Sequence, residues 1–129
     1  MSKLKKAETH NIIWFEIPAD KPERAKTFYG KLFGWKINAF PGMKDYWHID
    51  TGGPDASPDG GLMVRKHKSQ PITNYVRVPS VTKFVAKVKK LGGIICVPKM
   101  AVPKMGYLAV CRDTEGNEFA LWEINEKAK

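Results

Sequence analysis

The sequence predicts an α+β fold made of two tandem βαβββ modules. Three observations carry that expectation. The same order of elements (strand, helix ending in glycine, three strands) is readable twice within 129 residues. The joints repeat as well: Ile17-Pro18 and Leu32-Phe33-Gly34-Trp35 are echoed by Val78-Pro79 and Lys90-Leu91-Gly92-Gly93. A period of about 60 residues with one helix per copy is too long and too mixed for the common solenoids. One module cannot cover both faces of its own strands, so pairing two of them is the physical solution.

The first strand is the β-rich run Asn11 to Ile17, ended by Pro18. Asp20 is placed to cap a helix with Pro22 in its first turn. Ala25, Phe28, Tyr29, Leu32 and Phe33 then form an amphipathic stripe that Gly34 ends. Trp35 to Phe40 resumes strand character, Pro41-Gly42 turns the chain, and Tyr46 to Asp50 is a third strand. A Gly/Pro/Asp-rich loop, Thr51 to Asp59, leads to a fourth strand at Gly60 to Val64. The second copy opens with Thr73 to Val78, stopped by Pro79. Ser80 should cap a helix with apolar positions Val81, Phe84, Val85, Val88 and Leu91. Strands at Ile94–Val97, Tyr107–Arg112 and Glu118–Glu123 follow, the last two joined by the tight turn Asp113-Thr114-Glu115-Gly116-Asn117. The expected organisation is a flexible basic tail at 1–9, one domain over 10–124 with modules near 10–66 and 72–124, and a tail at 125–129.

Bulk properties narrow the function classes. Hydrophobic residues at 43% and charged residues at 27% describe a folded globular chain and exclude general disorder. No apolar run approaches the roughly 20 residues needed to cross a bilayer, and the basic start lacks the apolar stretch of a secretory signal. A cytoplasmic site without membrane association is expected. Cys96 and Cys111 lie in separate β-like runs with no CxxC or Cys/His spacing. They read as two buried free thiols, with a disulfide or redox pair as the alternative. The formal charge of +9, from 22 Lys+Arg against 13 Asp+Glu, favours anionic partners. The lysines are nevertheless dispersed, with no basic cluster interleaved with aromatics, so nucleic acid is not the expected partner.

Five segments in order carry a family resemblance: Trp14-Phe15-Glu16-Ile17-Pro18-Ala19-Asp20, Phe28 to Trp35, Gly60-Gly61-Leu62-Met63, Val88 to Gly93, and Asp113 to Phe119. Together they resemble the vicinal oxygen chelate superfamily, which includes glyoxalase I, the fosfomycin- and bleomycin-resistance proteins and the extradiol dioxygenases. The likeness is nearest to its glyoxalase-like branch. It implies a curved mixed sheet around a cavity. It admits a homodimer, for which the surface sequence gives no separate warrant, and leaves open whether the modules pair within or between chains. In catalytic members the first and last strands of each module present His, Gln or Glu to a divalent metal. Here the first-strand position falls on Trp14, or on Ile12 if the turn before the helix holds an insertion. The other positions fall on Leu62, Met63 or Val64, near Thr73, and on Ala120. None is a normal ligand, so no metal or other cofactor is expected.

Strand alternation supplies the residues that would line the cavity instead. With Ile13, Phe15 and Ile17 turned to the helix, Ile12, Trp14 and Glu16 face inward. In the second module Tyr75 and Arg77 face inward, as do Glu118, Ala120 and Trp122. An aromatic wall of Trp14, Tyr75 and Trp122, with Glu16 and Arg77 as opposing charges, suits a flat or cationic organic molecule. Core packing of the aromatics and a structural Glu16–Arg77 pair are the plainer readings. His48 alternates with Tyr46 and Asp50 and is, with Glu16, the candidate acid/base group. His10 shares the parity of Trp14, so His10, Glu16 and Glu118 form a conceivable non-standard metal set that parity alone supports. His67 falls in a solvated lysine run, and Asp113 and Asn117 are turn formers.

The leading expectation is metal-independent binding of a small planar organic ligand, by sequestration or sensing. The first alternative is a lyase or isomerase of the lactoylglutathione lyase type with an atypical metal site, using Glu16 or His48 as general base. The second is a basic nucleic-acid-binding module.

Overall fold

The computed structural model describes residues 10–54 and 58–129. The basic segment 1–9 and the middle of the Thr51–Asp59 loop lie outside the described residues. The chain divides into two compact units, Ile13–Thr73 and Asn74–Lys129, with residues 10–12 belonging to the second. Among the described residues, eight strands and two helices make the fold α+β.

The first unit contains β1 (Ile12–Ala19), α1 (Pro22–Phe33), β2 (Lys36–Ala39), β3 (Tyr46–Asp50) and β4 (Asp59–Val64). Its strands lie in the order β2-β3-β4-β1, with β1 parallel to β4 and the other pairs antiparallel. Its core joins Ala19, Ile37, Ile49 and Leu62 to Phe15, Ile17, Ala25, Tyr29, Trp35 and Trp47. Phe15 and Ile17 thus face α1, as alternation requires. Gly34 ends α1 in the left-handed region at φ 75°, its N–H donating to the Gly30 carbonyl, a conformation open to glycine at little cost.

Two expectations for α1 are corrected. Asp20 does not cap it. The N-cap is Lys21, with no side-chain capping bond, because the Asp20 carboxylate accepts from Arg65 Nε at 2.9 Å instead. The apolar stripe is also wider than the surface it can cover. Ala25 and Tyr29 pack on the sheet, whereas Phe28, Leu32 and Phe33 are 59%, 56% and 57% exposed.

The second unit contains β5 (Thr73–Arg77), α2 (Val81–Lys90), β6 (Ile94–Val102), β7 (Gly106–Arg112) and β8 (Glu118–Ile124). The order β5-β8-β7-β6 repeats the first unit's plan, with β5 parallel to β8 and antiparallel pairs elsewhere. Val78, Val81, Ala109, Cys111 and Leu121 form its core under Phe84, Val85 and Val88. Ser80 caps α2 as expected, accepting from the Lys83 N–H at 3.2 Å, and Glu123 adds a bond from the Val81 N–H at 2.9 Å.

Four details of this unit differ from expectation. β6 runs through Pro98 to Val102, because a strand at the end of the sheet can lack one ladder N–H. Cys96 is exposed rather than buried, since it sits where the β6–β7 register slips between Ile95 and Val97; Cys111 is buried, and both thiols are free. Leu91, past the end of α2, is 75% exposed. Residues 125–129 do not trail away: Lys104 N–H donates to the Ala128 carbonyl, Asn125 N–H to that of Met105, and Ala128 is buried.

Among the described residues, no helix is long and apolar enough to cross a membrane.

Candidate functional site

On the face of the first unit turned away from α1, several side chains form one connected group. Trp14 and Glu16 reach this face from β1, and Tyr46 and His48 from β3. β4 runs between them, and it carries Gly61 directly opposite both Glu16 and His48. That glycine lets the group close, because a Cβ there would collide with the Tyr46 ring and hydroxyl. Tyr46 lies across the strand, accepts from Trp14 Nε1 at 2.9 Å, and donates its hydroxyl proton to Glu16 Oε2 at 2.7 Å. The short second bond has the length of a charge-assisted O–H···O⁻ contact.

His48 stacks flat on Trp14, with centroids 5.7 Å apart and planes 4° from parallel. Phe40 meets Trp14, Tyr46 and His48 edge-on at 6.4, 5.7 and 6.2 Å. His48 Nε2 lies 3.2 Å from Asp59 Oδ2, while Asp59 Oδ1 accepts from the Thr51 N–H at 3.1 Å and the Thr51 hydroxyl at 3.3 Å. The imidazole is thereby held between a carboxylate and an indole. Its side chain keeps 40% of its surface open, and Asp59 keeps 35%. The arrangement offers ring faces for stacking, one phenol–carboxylate pair, and one imidazole–carboxylate pair within reach of solvent.

The expected residues therefore separate by unit. Trp14, Glu16 and His48 are brought together in the first. Tyr75, Arg77, Glu118 and Trp122 fall in the second, on the face of its sheet turned away from α2: Tyr75 pairs in register with Ala120, and Arg77 with Trp122. His10 is a correction. Its ring packs edge-on against Phe84 of α2 at 5.0 Å and its Nδ1 lies 3.2 Å from the Arg77 carbonyl oxygen, so it stands on the helix side. The parity argument failed there because His10 precedes β1 and is outside its alternation. His67 is exposed, and Asp113 holds its turn by accepting from the Glu115 and Asn117 N–H groups at 2.8 and 2.9 Å. Those two bonds, Asn117's first, lower the Asp113 pKa below its usual value.

Sequence reasoning passed over Tyr46, Asp59 and Phe40. Tyr46 had a signal: it shares parity with His48, and the glycine pair Gly60-Gly61 on a neighbouring strand leaves room for a ring. Asp59, read as the end of a loop, had none.

The divalent metal that the fold family implies does not fit the donors present. Trp14 is occupied in stacking and hydrogen bonding, Leu62 and Ala120 are fully buried hydrocarbon, and Met63 sulfur accepts from Gln70 Nε2 at 3.5 Å. Among the described residues no three His, Cys, Asp or Glu side chains group to hold a metal ion.

A strand–helix–three-strand unit repeated in one chain, with polar and aromatic groups on the sheet face away from each helix, defines a tandem βαβββ protein. The comparisons agree. The family model "Bleomycin resistance protein-like N-terminal" matches residues 11–52. A glyoxylase-like domain-containing protein of Didymella fabae is 32% identical over 119 residues, spanning 85% of this chain and 91% of that protein. The chain belongs to the glyoxalase/bleomycin-resistance family. Solved structures share the fold: methylmalonyl-CoA epimerase from Mycobacterium tuberculosis has a TM-score of 0.67 at 13% identity, covering 88% of this chain and 87% of that one. A superfamily member from Vibrio splendidus has a TM-score of 0.65 at 10% identity, covering 91% of this chain and 100% of that one.

Proposed function

We propose that the protein binds a small planar organic ligand, preferably cationic, without a metal, at the Trp14–Glu16–Tyr46–His48 face. The observation that supports this reading is the cluster of Trp14, Phe40, Tyr46 and His48 rings, tied to the Glu16 carboxylate through the Tyr46 hydroxyl. Aromatic faces attract a flat cation through dispersion and the ring quadrupole, and a nearby carboxylate supplies the counter-charge. Sequestration or sensing of such a molecule needs no bond-making group.

The test is a fluorescence titration with N-methylquinolinium and its uncharged counterpart methylnaphthalene, read on the tryptophan emission. The cation should bind more tightly, and Glu16→Gln should weaken it by about tenfold, roughly 1.4 kcal/mol. Trp14→Leu should weaken both compounds. Equal affinities in the two variants and the parent would sink the reading. Arg77→Ala in the same titration tests whether the second unit's polar set takes part.

One observation favours a second reading, a lyase or isomerase. His48 is held against Asp59, which Thr51 in turn fixes, an orientation that suits a general base taking a proton next to a carbonyl. A pH–rate profile on a 2-oxoaldehyde–thiol adduct that is lost in His48→Gln would support it. No turnover in the parent at any pH would remove it.

A further inference from the structure

On the opposite side of the first unit's sheet, beside α1, lies a cleft of about 350 Å³. Its wall carries Lys21, Arg24 and Arg65 as cations and Asp20 as the one carboxylate, with Phe28 and Tyr29 on its apolar side. Arg65 is spent on structure: Nε donates to Asp20 at 2.9 Å, and its two terminal nitrogens to the Gln70 and Pro18 carbonyls at 2.8 and 3.3 Å. The Asp20 charge is compensated there. Lys21 and Arg24 have no side-chain hydrogen bond or ion pair among the described residues. Three cations against one carboxylate leave two positive charges unbalanced in one concavity.

The apolar part is equally unsatisfied. Phe28 is 59% exposed and stands edge-on to Tyr29 at 5.3 Å, so more than half of it is open to solvent. A phenyl ring left open beside two unpaired cations fits one kind of molecule, with an anionic head and a small apolar body. The volume is at the lower end for small-molecule pockets, which excludes large ligands.

We propose that this cleft is a second binding site, distinct from the Trp14 face, for a small organic carboxylate with an aryl body. The carboxylate is held by Arg24, whose planar fork matches it, with Lys21 adding charge. The aryl group lies on Phe28. Because the head and the body are recognised by different side chains, each can be removed separately.

Isothermal titration of the full chain with phenylacetate, phenylacetamide and inorganic phosphate tests the proposal. Phenylacetate should bind one-to-one, and the amide and phosphate each at least about tenfold more weakly. Arg24→Ala and Phe28→Ala should each weaken phenylacetate by about tenfold. Both residues are exposed, so circular dichroism should show unchanged folding. Glu16→Gln, on the other face of the sheet, should leave phenylacetate affinity unchanged. The proposal is overturned if the amide binds as well as the acid, if both cleft variants bind like the parent, or if phenylacetate shows no saturable binding.

Discussion

Gly61 sits between Glu16 and His48 in register, and the lack of a side chain there is what lets the Tyr46 ring cross β4. An added Cβ would meet the far end of a tyrosine side chain, which can swing aside. Gly61→Ala should therefore fold, with a stability loss of about 1–3 kcal/mol as for other overpacked sites. The Tyr46 hydroxyl would leave both Trp14 and Glu16, so the tryptophan emission should shift, and N-methylquinolinium binding should fall as in Glu16→Gln. Gly106 is the contrast: an added Cβ would collide with the Glu123 carbonyl, which is ladder backbone. Gly106→Ala should lose more than Gly61→Ala in the same denaturant titration. Equal losses, or an unaltered emission in Gly61→Ala, would show that Tyr46 does not depend on the glycine.

At the scale of elements, the β6–β7 pair carries both thiols in opposite environments. Burial pushes the Cys111 thiol up to about 11 from an ordinary value of 9.0, and neighbouring Cys96 adds to the rise. A folded-state value above the unfolded one means that stability is fully present below pH ~9 and is lost as pH rises towards 11. The loss from this group is about 2–3 kcal/mol between those limits. Unfolding measured at pH 7, 9 and 11 should show that decline in the parent and a flatter one in Cys111→Ala, whose difference removes the titration of other groups. Parallel declines would place the sensitivity elsewhere.

Alternation and stops made most of these elements legible: Phe15 and Ile17 towards α1, Gly34 ending it, Ser80 capping α2. What failed were competitions with distant partners. Asp20 had the right type and place for a cap, but Arg65, 45 residues on, takes it. Asp59 gains meaning only when β4 brings it beside His48, and His10 only when Phe84 covers it. Cys96 reads as a buried strand residue until the register slip turns it outward. The pattern along the chain fixes which face a strand residue takes; it does not say which polar group will win a given partner.

For the molecule as a whole, the question is whether the family's metal chemistry survives in this chain. The positions that resemblance assigns to ligands are spread over both units: Trp14 or Ile12, then Leu62, Met63 or Val64, then Thr73 and Ala120. Divalent first-row metals need several imidazole, carboxylate or thiolate donors converging at about 2.0–2.3 Å. These positions offer hydrocarbon, an indole, one thioether and one buried hydroxyl, and the nearest stronger donors, Glu16 and His48, are engaged by Tyr46 and Asp59. The chain dialysed against chelator and then given Ni²⁺, Zn²⁺, Mn²⁺ or Fe²⁺ should retain well under one metal per chain by elemental analysis. Its thermal midpoint should not move, since a ligand that binds the folded state would raise it. A stoichiometric metal surviving dialysis would reverse the reading. Glu16, His48, Glu118 and His10 would then be the residues to substitute one at a time, and the Tyr46 and Asp59 contacts would become second partners that orient ligands.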